Sequence, residues 1–521
     1  MITGKNHIAG ELSARGNTRF QTLNAASNDT LEYEFSEATE SEIEKAVEEA
    51  GKAFDILRET TGEKKALLLE NIAKELQDQQ KELCNLYMQE TGLPEGRATG
   101  ELNRTINQLR LFAELLREGS WVRAVINTAE SKPDIRKTLA PLGPVAVFGA
   151  SNFPFAFSTA GGDTASALAA GCPVIVKGHP YHAATSEKVA HCISKAITET
   201  GLPLGTFSHL HSSGHKVGEK LVLHEGIKAV GFTGSFKGGK SLKELAQKRS
   251  TPIPVYAEMG SVNPVVMLPG AWENDSEHWA SLLAGSVSLG CGQFCTNPGL
   301  IIAPDSQHTD TFAKSLASRL ENAGRQTMLH PNIKRTYESD KELLSLQKGV
   351  SVITDKGKAP DSNDGIPAFF SVSGRDFLLN EILDNEVFGP SSLLIRCTDI
   401  QEMESVVDKL EGQLTATVIG TEQSVAEHKN LISKLQARTG RIIFNGVPTG
   451  VEVCAAMHHG GPYPATTDDK FTSVGHDAIY RWLRPLSYQD WPDSLLPAEL
   501  KNANPLGILR NINGTITKDP V

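Results

Sequence analysis

The sequence predicts an α/β fold with two doubly wound parallel-sheet domains, a small bridging hairpin and a C-terminal arm. From residue 144 onward, short apolar runs typical of buried strands alternate with helical segments. Alternation of this kind builds parallel sheets that are covered by helices. The chain has 521 residues, which is too long for one hydrophobic core and favours two or three domains.

The overall composition is that of an ordinary globular protein rather than a nucleic-acid or membrane protein. Hydrophobic residues make up 39% of the chain, charged residues make up 22%, and the net charge is −11. A negative chain is a poor partner for nucleic acid or for an anionic membrane. The N-terminus has no apolar signal core, and no run reaches the roughly 18 apolar residues that span a bilayer. We therefore expect a small-molecule substrate and no nucleic-acid or membrane partner.

The cysteine pattern favours a reducing compartment. The chain has seven cysteines, an odd number, with no CxxC pair and no regular spacing. In a long chain without a signal sequence this pattern is typical of reduced thiols. We expect a cytoplasmic protein.

Three helices are predicted after a strand-like lead-in over residues 1–35. A Thr-Glu-Ser-Glu capping box at 39–42 begins the first helix, because such a box satisfies free amides at a helix start. The second is predicted from about residue 64 to a stop signal at 90–94, and the third over about 97–118. This stop signal places Gly and then Pro after the helix, where Gly adopts the left-handed conformation and Pro forbids continuation.

A hairpin is predicted where the helices give way to the first sheet. The runs 121–126 and 135–139 flank a polar turn at 130–133. An exposed hairpin edge can add strands to a partner subunit, although a plain surface ribbon fits the sequence equally well. The tail after Tyr480 is rich in Pro, Trp and Asn and is predicted to be an arm lying on other structure.

Two α/β units follow from the strand and helix pattern, joined near residues 258–264. The predicted strands are at 145–148, 174–176, 207–211, 229–232, 255–256, 300–302, 350–353, 416–419 and 441–444. The predicted helices are at 157–170, 185–200, 238–248, 309–323 and 424–437. We assign residues 1–120 and 143–258 to a cofactor-binding domain, 259–480 to a catalytic domain, and 121–142 with 481–521 to bridging and oligomerisation segments.

Cys295 is the candidate nucleophile. It lies in a run of small residues at 290–297, which lets a substrate and backbone amides come close. A thiolate attacks carbonyl carbon well, and a neighbouring base can raise its population at neutral pH. The alternative is a buried structural cysteine, which is the commoner role for a lone Cys. A second thiol, Cys291, fits a packing role better, although oxidative pairing with Cys295 is open.

Two polar residues at strand ends are further catalytic candidates. Glu258 follows a strand and precedes glycine, so it can point into a cleft, although a lone Glu is more often solvated. Asn152 lies in a strand-to-helix turn. Its amide can donate to a developing oxyanion, or it can cap the following helix.

A third group of residues matches the needs of a dinucleotide. Lys177 ends a strand, and the glycine-rich stretch from Gly234 and Ser235 to Gly239 lies between a strand and a helix. A helix N-terminus at such a place can receive a phosphate. The stretch is not the GxGxxG fingerprint, so its spacing alone is a weak signal. Further on, Glu386 and Phe388 place an acid and an aromatic ring in one turn.

Taken together, these pieces resemble the aldehyde dehydrogenase superfamily over nearly the whole chain. Five motifs occur in the family's order, at 232–235, 258–260, 292–295, 386–390 and 444–446. The stretches 290–299 and 457–464 are similar to the branch that oxidises 2,5-dioxovalerate, also called α-ketoglutaric semialdehyde. Bacterial long-chain aldehyde dehydrogenases are neighbours of that branch.

The resemblance implies a role for each catalytic candidate. Cys295 would attack the aldehyde to give a thiohemiacetal, and the Asn152 amide with the Cys295 backbone N–H would hold the oxyanion. Hydride transfer to the nicotinamide would leave a thioester. Glu258 would then activate water to release the acid, and no metal is expected.

The resemblance also implies the cofactor, NADP or NAD, and its contacts. Lys177 would bind the adenosine ribose, the stretch from Gly234 to Gly239 would border the pyrophosphate, and Glu386 with Phe388 would orient the nicotinamide ribose and ring. Pro180 stands where NAD-preferring members usually carry Glu. Because that Glu repels a 2′-phosphate, its absence favours NADP.

Lys177 keeps a cation near the same end of the cofactor, and His179 and His182 are candidates for further positive charge. A 2′-phosphate carries close to two negative charges, so these cations would favour NADP further.

Arg104 and Arg110 are the residues that we consider for a substrate carboxylate.

Several departures and rival functions stay open at this stage. Ser151 replaces the Trp that usually precedes the catalytic Asn, and the stretch between Glu258 and Cys295 is slightly long. The substrate could be a long-chain or other aldehyde. A non-redox cysteine acyltransferase or thioesterase could use the same thiol, and a non-catalytic family member is a further alternative. A homodimer or homotetramer assembled through 121–142 and the C-terminal arm is expected.

Overall fold

The computed structural model describes residues 1–270, 272, 275–359 and 362–521. The strands within these residues, β1 to β23 in chain order, are Asn6–Ile8, Glu11–Ser13, Arg19–Leu23, Thr30–Ser36, Val125–Ala129, Lys132–Pro141, Val145–Phe148, Val174–Lys177, Phe207–Leu210, Ala229–Thr233, Val255–Glu258, Val265–Met267, Leu300–Pro304, Gln326–Thr327, Ser351–Asp355, Asp364–Gly365, Ala368–Ser373, Ser391–Cys397, Gln413–Ile419, Thr439–Phe444, Leu483–Gln489, Arg510–Ile512 and Thr515–Thr517. The helices, α1 to α15, are Glu40–Leu57, Gly62–Asp78, Gln80–Thr91, Glu95–Glu118, Gly162–Ala170, Ala183–Thr200, Lys216–Leu223, Phe236–Gln247, Ser276–Ser288, Gln307–Ala323, Pro331–Ser345, Gly374–Leu378, Ile400–Lys409, Glu422–Glu427 and Lys429–Gln436. No helix in these parts of the chain has the length and apolarity needed to cross a bilayer.

The first large sheet has seven strands in the order β11-β10-β7-β8-β9-β1-β2. The five strands from β11 to β9 are parallel, and the N-terminal β1 and β2 add an antiparallel edge. Val145 and Val147 pack into one hydrophobic cluster, whereas Ala146 and Phe148 pack into another. Alternate residues of a strand point to opposite faces, so this sheet is buried on both sides, as a doubly wound sheet requires.

The second large sheet repeats this plan with strand order β15-β17-β18-β13-β12-β19-β20. Only the edge strand β15 runs antiparallel to its neighbour. Val265 and Ile301 face one cluster, while Val266 and Ile302 face the other. The predicted fold class of two doubly wound sheets is therefore confirmed, while the residue boundaries of the domains stay a prediction.

The hairpin and the C-terminal arm belong to one small sheet of five strands, ordered β21-β6-β5-β22-β23. The arm strand β21 pairs antiparallel with β6 from Leu483 opposite Pro141 to Gln489 opposite Ile135. The predicted strand at 121–126 was wrong at its start, because Ser120–Val122 is a 3-10 helix that follows a left-handed Gly119. The arm thus completes the hairpin sheet within the same chain.

Several predicted helices differ from those observed. The second predicted helix is divided into α2 and α3 at Gln79, whose φ of −98° and ψ of 9° interrupt the helix. The helix predicted at 157–170 begins only at Gly162, and the one predicted at 424–437 is interrupted at His428. Sequence periodicity also missed five helices, α7, α9, α11, α12 and α13.

The two large sheets meet where β11 ends. Glu258 is the last residue of β11, and a six-residue passage leads from it to β12 in the second sheet. The segment after β20 returns to this point, where Met259 N donates to Ala465 O at 2.8 Å and Thr466 bridges to Glu258. Residues from both sheets therefore converge at the carboxyl end of β11, which is the edge where parallel sheets place ligand sites.

Candidate active site

Cys295 lies in a tight loop between a short 3-10 helix, Leu289–Gly292, and β13. Asn263 is buried and has a backbone φ of 46°. Its side chain holds this loop in place. Its amide donates to the carbonyl of Cys295 at 2.8 Å and to that of Asn297 at 2.9 Å. The loop also needs Gly292, because a Cβ there would strike the backbone of Gly389. These contacts fix the position of the thiol.

The thiol is one member of a buried cluster of three functional side chains. Its sulfur lies 3.5 Å from Nε2 of His459. The same nitrogen lies 2.9 Å from Oε1 of Glu258, and the hydroxyl of Ser473 donates to Oε2 of that carboxylate. The structure thus brings Glu258 and Cys295 together, as the sequence predicted, and places His459 between them.

The backbone of His459 is held by hydrogen bonds to the nearby segment 472–473. Its N–H donates to Oγ1 of Thr472 at 2.8 Å, and its carbonyl accepts from the N–H of Ser473 at 2.9 Å. Sequence reasoning assigned no role to His459 or Ser473. The signal was the His-His pair before Gly-Gly-Pro at 458–462, which was used only as a mark of family resemblance.

Charges in the cluster decide where the proton resides. Burial alone would raise the pKa of Glu258, but the ion pair with His459 and hydrogen bonds from Ser473 and Cys295 outweigh it and lower that pKa below its usual value. Burial, followed by the negative charge of Glu258, raises the pKa of Cys295 well above normal, and Arg104 offsets part of the increase. At neutral pH the carboxylate is therefore ionised and the thiol keeps its proton.

The Cys295 thiol is surrounded by protein yet remains partly accessible. The reason is that it faces a cavity of about 440 Å³. Three phenylalanines and three arginines share the cavity wall with the thiol: Phe153, Phe157, Phe294, Arg97, Arg104 and Arg441. The cavity therefore provides space for a small molecule next to the sulfur.

Asn152 lies in the loop after β7, close to the Cys295 loop. Its Nδ2 donates to the carbonyl of Gln293 at 3.1 Å. A side-chain amide has two N–H donors, so a second donor remains for another acceptor. The N-cap alternative is wrong, because α5 is capped by Gly161.

Cys291 occupies a different environment from Cys295. Its thiol donates to the carbonyl of Gln326 at 3.3 Å and packs with Met328 and Tyr337. Burial raises the pKa of Cys291 to about 12. Its surroundings are those of a packing residue, in line with the interpretation that the sequence favoured.

The residues predicted for the adenosine end lie at the carboxyl end of β8. Burial lowers the pKa of Lys177 to about 8, and the negative charge of Glu37 opposes that fall. Burial also lowers the pKa of His179 well below normal and that of His182 to about 4. The expectation that these two histidines add positive charge was therefore wrong at neutral pH, because both are neutral there. Pro180 begins a 3-10 helix and carries no charge.

The glycine-rich stretch forms the start of α8, as expected for a phosphate-facing turn. Ser235 is the N-cap, and its hydroxyl accepts from the N–H of Gly238 at 3.2 Å. Gly234 N donates to the carbonyl of Glu258 at 3.0 Å, so the helix start lies beside the catalytic strand. Gly239 packs closely against Met259, and a Cβ there would force the Met259 side chain to move.

Glu386 and Phe388 line a pocket next to the Cys295 loop, together with Ser261, Gly292 and Asn297. The carboxylate of Glu386 lies so close to Gly260 that any side chain there would clash with it. Burial raises the pKa of Glu386 to about 7. The pocket places an acid and an aromatic ring next to the Cys295 loop, and it shares Phe294 with the arginine-lined cavity.

The cluster at Cys295 also offers ligands that a metal ion could use. Donor atoms of Glu258, Cys295 and His459 all lie within 4.8 Å of one another, and sulfur, nitrogen and oxygen donors are the ones that zinc takes. The sequence predicts no metal, and a nucleophile with an adjacent base and carboxylate accounts for the same three residues.

Comparisons with known proteins bear on the family and the fold of this chain. A model of the Aldehyde dehydrogenase family matches residues 12–463. The chain is 44% identical over 99% of its length to an alpha-ketoglutaric semialdehyde dehydrogenase from Acinetobacter baylyi, of which 99% is covered. It is 43% identical over 98% of its length to alpha-ketoglutaric semialdehyde dehydrogenase 2 from Azospirillum brasilense, again with 99% covered. The fold is similar to betaine aldehyde dehydrogenase from Staphylococcus aureus in complex with NAD+, with a TM-score of 0.81 at 19% identity, covering 94% of this chain and 96% of that one.

Proposed function

The chain belongs to the aldehyde dehydrogenase family, and from that premise we propose that it oxidises 2,5-dioxovalerate to 2-oxoglutarate with NADP⁺ or NAD⁺. The observation that carries the chemistry is the buried cluster of Cys295, His459 and Glu258 beside a cavity. The two relatives named for this semialdehyde, which match the chain from end to end, support the substrate. A wall that carries arginines suits an aldehyde with a carboxylate.

The first step is addition of the Cys295 sulfur to the aldehyde carbon, which forms a C–S bond. The thiol proton passes to the carboxylate of Glu258, which accepts a hydrogen bond from Cys295, and it leaves to solvent before the last step. Nε2 of His459 is not free to take this proton, because it already pairs with Oε1 of Glu258. The carbonyl oxygen becomes an oxyanion. The free N–H of Asn152 and the backbone N–H of Cys295 are the donors that we assign to it, and the product of the step is a thiohemiacetal.

The residues of the second pocket fit a nicotinamide cofactor. Ser235 caps a 12-residue helix beside the catalytic strand, so free amides at the helix start suit a pyrophosphate. Lys177 suits the adenosine ribose, and Glu386 with Phe388 suits the nicotinamide ribose and ring. When bound, a nicotinamide cofactor would supply the hydride acceptor through which the thiohemiacetal would become a thioester of Cys295.

The last step releases the acid from the thioester. Glu258 stays ionised at neutral pH because its neighbours lower its pKa, so it can take a proton from an attacking water. Ser473 and His459 hold the carboxylate in place for this task. Water adds to the acyl carbon, the C–S bond breaks, and the sulfur regains a proton. In sum, aldehyde, water and oxidised cofactor give acid, reduced cofactor and a proton.

We further propose that the enzyme accepts NADP, and the adenosine end supplies the reason. Lys177 is the cation there. The family resemblance places the uncharged Pro180 where NAD-preferring members usually carry Glu. Glu37 acts on the pKa of Lys177 and is the acid that could disfavour a 2′-phosphate. Measuring kcat/KM with both cofactors decides the preference. Pro180→Glu should shift it toward NAD, and Glu37→Gln should shift it toward NADP.

An aldehyde panel tests the proposed reaction and its rivals. Purified enzyme is assayed for reduced-cofactor absorbance with 2,5-dioxovalerate, with alkanals from pentanal to dodecanal, and with each cofactor. The proposal expects the highest kcat/KM with 2,5-dioxovalerate. A higher value with long alkanals would contradict the substrate, and ester hydrolysis without any aldehyde oxidation would contradict the dehydrogenase reaction.

We also propose a cytoplasmic homo-oligomer. The supporting features are the absence of disulfides among the seven cysteines, all of which are free, and the five-stranded sheet built by the hairpin and the arm. That sheet ends in β23, whose Ile516 is exposed, so its edge can pair with another subunit. Light scattering at micromolar protein should give at least a dimer, and a monomer would contradict the proposal.

A further inference from the structure

Arg104, on α4, points its guanidinium toward the cavity beside Cys295. Its Nε makes one long contact, 3.4 Å, to the carbonyl of Val451. Its Nη2 is buried and has no hydrogen-bond partner among the described residues. The guanidinium carbon lies 5.1 Å from the centre of the Phe157 ring, which supports the group from one side. A buried donor without an acceptor is costly, and no protein group of the described residues takes this one, so it is available to a ligand.

Arg441, on β20, faces the same cavity from the second sheet. Two of its nitrogens support the following loop, with Nη2 donating to the carbonyl of Pro448 at 2.9 Å and Nη1 to that of Gly450 at 3.2 Å. Its Nε is buried and, over the part of the chain that the structure covers, has no partner. Arg441 therefore has a fixed orientation and one donor in reserve.

Arg97, the third arginine of the cavity, differs from the other two. It lies 3.4 Å from the carboxylate of Glu101. Its guanidinium carbon is 4.5 Å from the ring centres of both Phe153 and Phe294. Arg97 is thus neutralised and stacked, and it serves the wall of the cavity rather than a ligand.

Neither Arg104 nor Arg441 has an ion-pair partner within 4.0 Å in the described ranges, although Glu452 also lines the cavity. An arginine cannot shed its proton in a protein. Two guanidinium groups without a paired acid, at the wall of a largely apolar cavity, are complementary to a planar anion that can accept two parallel hydrogen bonds. A carboxylate is such an anion.

We propose that Arg104 and Arg441 form a carboxylate subsite in this cavity, with Arg104 as the principal ligand. This inference rests on the proposed function and adds to it the residues that select the substrate. The aldehyde carbon lies at Cys295, and the carboxylate at the far end of the same molecule pairs with Arg104. The phenylalanine walls accept the methylene carbons between the two ends, so they bind alkanals as well. The arginines select aldehydes that carry a carboxylate over alkanals.

The test compares aldehydes of one chain length in Arg104→Met, which removes the charge and keeps an unbranched side chain. The substrates are pentanal, 5-oxopentanoate and 2,5-dioxovalerate. The ratio of kcat/KM for 5-oxopentanoate to that for pentanal should fall by about 100-fold, the size expected for a lost charge-assisted pair. The loss should lie mainly in KM, because the subsite binds rather than reacts.

The sequence also considered Arg110 for the substrate carboxylate, but that was wrong, because Arg110 is exposed, donates to Gln77 at 2.9 Å and is not among the residues that line the cavity. Since Arg110 lies on the same helix as Arg104, Arg110→Met is the matched control. Its ratio should equal that of the wild type. An unchanged ratio in Arg104→Met would overturn the subsite. A wild type that prefers pentanal would instead contradict the proposed function, so the two failures are distinguishable.

A second measurement on the wild type covers the case in which Arg104→Met does not fold. Iodoacetamide alkylation of Cys295 is followed with 2-oxoglutarate or with neutral pentanamide present. The subsite predicts that 2-oxoglutarate slows alkylation at concentrations where pentanamide does not. Equal protection by the two compounds would contradict a carboxylate subsite.

Discussion

Cys295 and Cys291 lie four residues apart in one glycine-rich stretch, yet they occupy regions with opposite roles. Both are enclosed by protein, and burial raises the pKa of both thiols. Cys291 meets a backbone carbonyl and the side chains of Met328 and Tyr337. Cys295 meets His459, a carboxylate beyond it, and a cavity.

The difference shows that burial and pKa alone do not identify a nucleophile. A raised pKa means only that the resting thiol is protonated. What distinguishes Cys295 is an acceptor for the proton and a path for the substrate. The backbone creates this difference, because Cys291 is held at a φ of 57° and Gly292 follows with a positive φ, so that the chain turns between the two thiols.

The largest expected effect separates the two thiols by activity. Cys295→Ser should lower kcat by at least about 10³-fold, because a hydroxyl is a far weaker nucleophile than a thiolate. Cys291→Ser should keep most of the activity. Steady-state assays with one aldehyde and one cofactor measure both. If the Cys291 variant is the inactive one, the assignment of the nucleophile is wrong.

The next effect concerns the carboxylate that only Cys295 can reach. Glu258→Gln should slow steady-state turnover by about 10²-fold or more, the usual range for a general base, because it leaves the thioester without a base. One equivalent of reduced cofactor should still form in a rapid burst. Stopped-flow absorbance measures the burst, and an unchanged steady-state rate would remove Glu258 from the mechanism.

Alkylation as a function of pH sharpens the comparison further. Burial and then the charge of Glu258 raise the pKa of Cys295, so removing that charge lowers the pKa and increases the thiolate fraction below it. Glu258→Gln should therefore react with iodoacetamide faster at neutral pH, by about tenfold for each unit by which the pKa falls. Mass spectrometry follows both sites. Cys291 should react slowly in either protein. A faster alkylation of Cys291 alone in Glu258→Gln would contradict the assignment of the nucleophile.

The smallest expected effect is on the free energy of unfolding, where the Cys291 variant should lose more than the Cys295 variant. Cys291→Ser should reduce the free energy of unfolding by about 1 kcal/mol, because a hydroxyl replaces a thiol in an apolar cluster. Cys295→Ser should change it less, since that side chain borders a cavity. Urea unfolding of both variants measures the difference. Equal losses would show that the two environments are less distinct than the structure indicates.

The sequence predicted most of the fold because apolar runs and turn residues repeat locally. The parallel strands of the first sheet, four strands of the second sheet, the helix start at Thr39, and the placement of Glu258 and Lys177 at strand ends follow from such local patterns. The strands β12, β17 and β18 of the second sheet were missed. The breaks at Gln79 and His428 were not predictable, because the flanking residues continue a helical pattern and only the backbone angles mark the interruption.

The candidate site was predictable only in part, for a physical reason. Cys295, Glu258 and Asn152 carry recognisable chemistry in recognisable turns. His459 approaches them from a segment 164 residues further along the chain, and nothing in its own neighbourhood states which strand it will contact. The same limit applies to Arg104, which could not be separated from Arg110 by sequence. The neutrality of His179 and His182 likewise depends on burial, which spacing does not reveal.

The most direct measurement asks which sulfur carries the acyl group. Glu258→Gln is mixed with oxidised cofactor and 5-oxopentanoate, quenched in acid, digested and fragmented in a mass spectrometer. Residues 291 and 295 share a tryptic peptide, so fragment ions that break between them locate the added mass. The account predicts the acyl mass on Cys295 and an unmodified Cys291. An acyl group on Cys291, or no acyl-enzyme after a full burst of reduced cofactor, would contradict it.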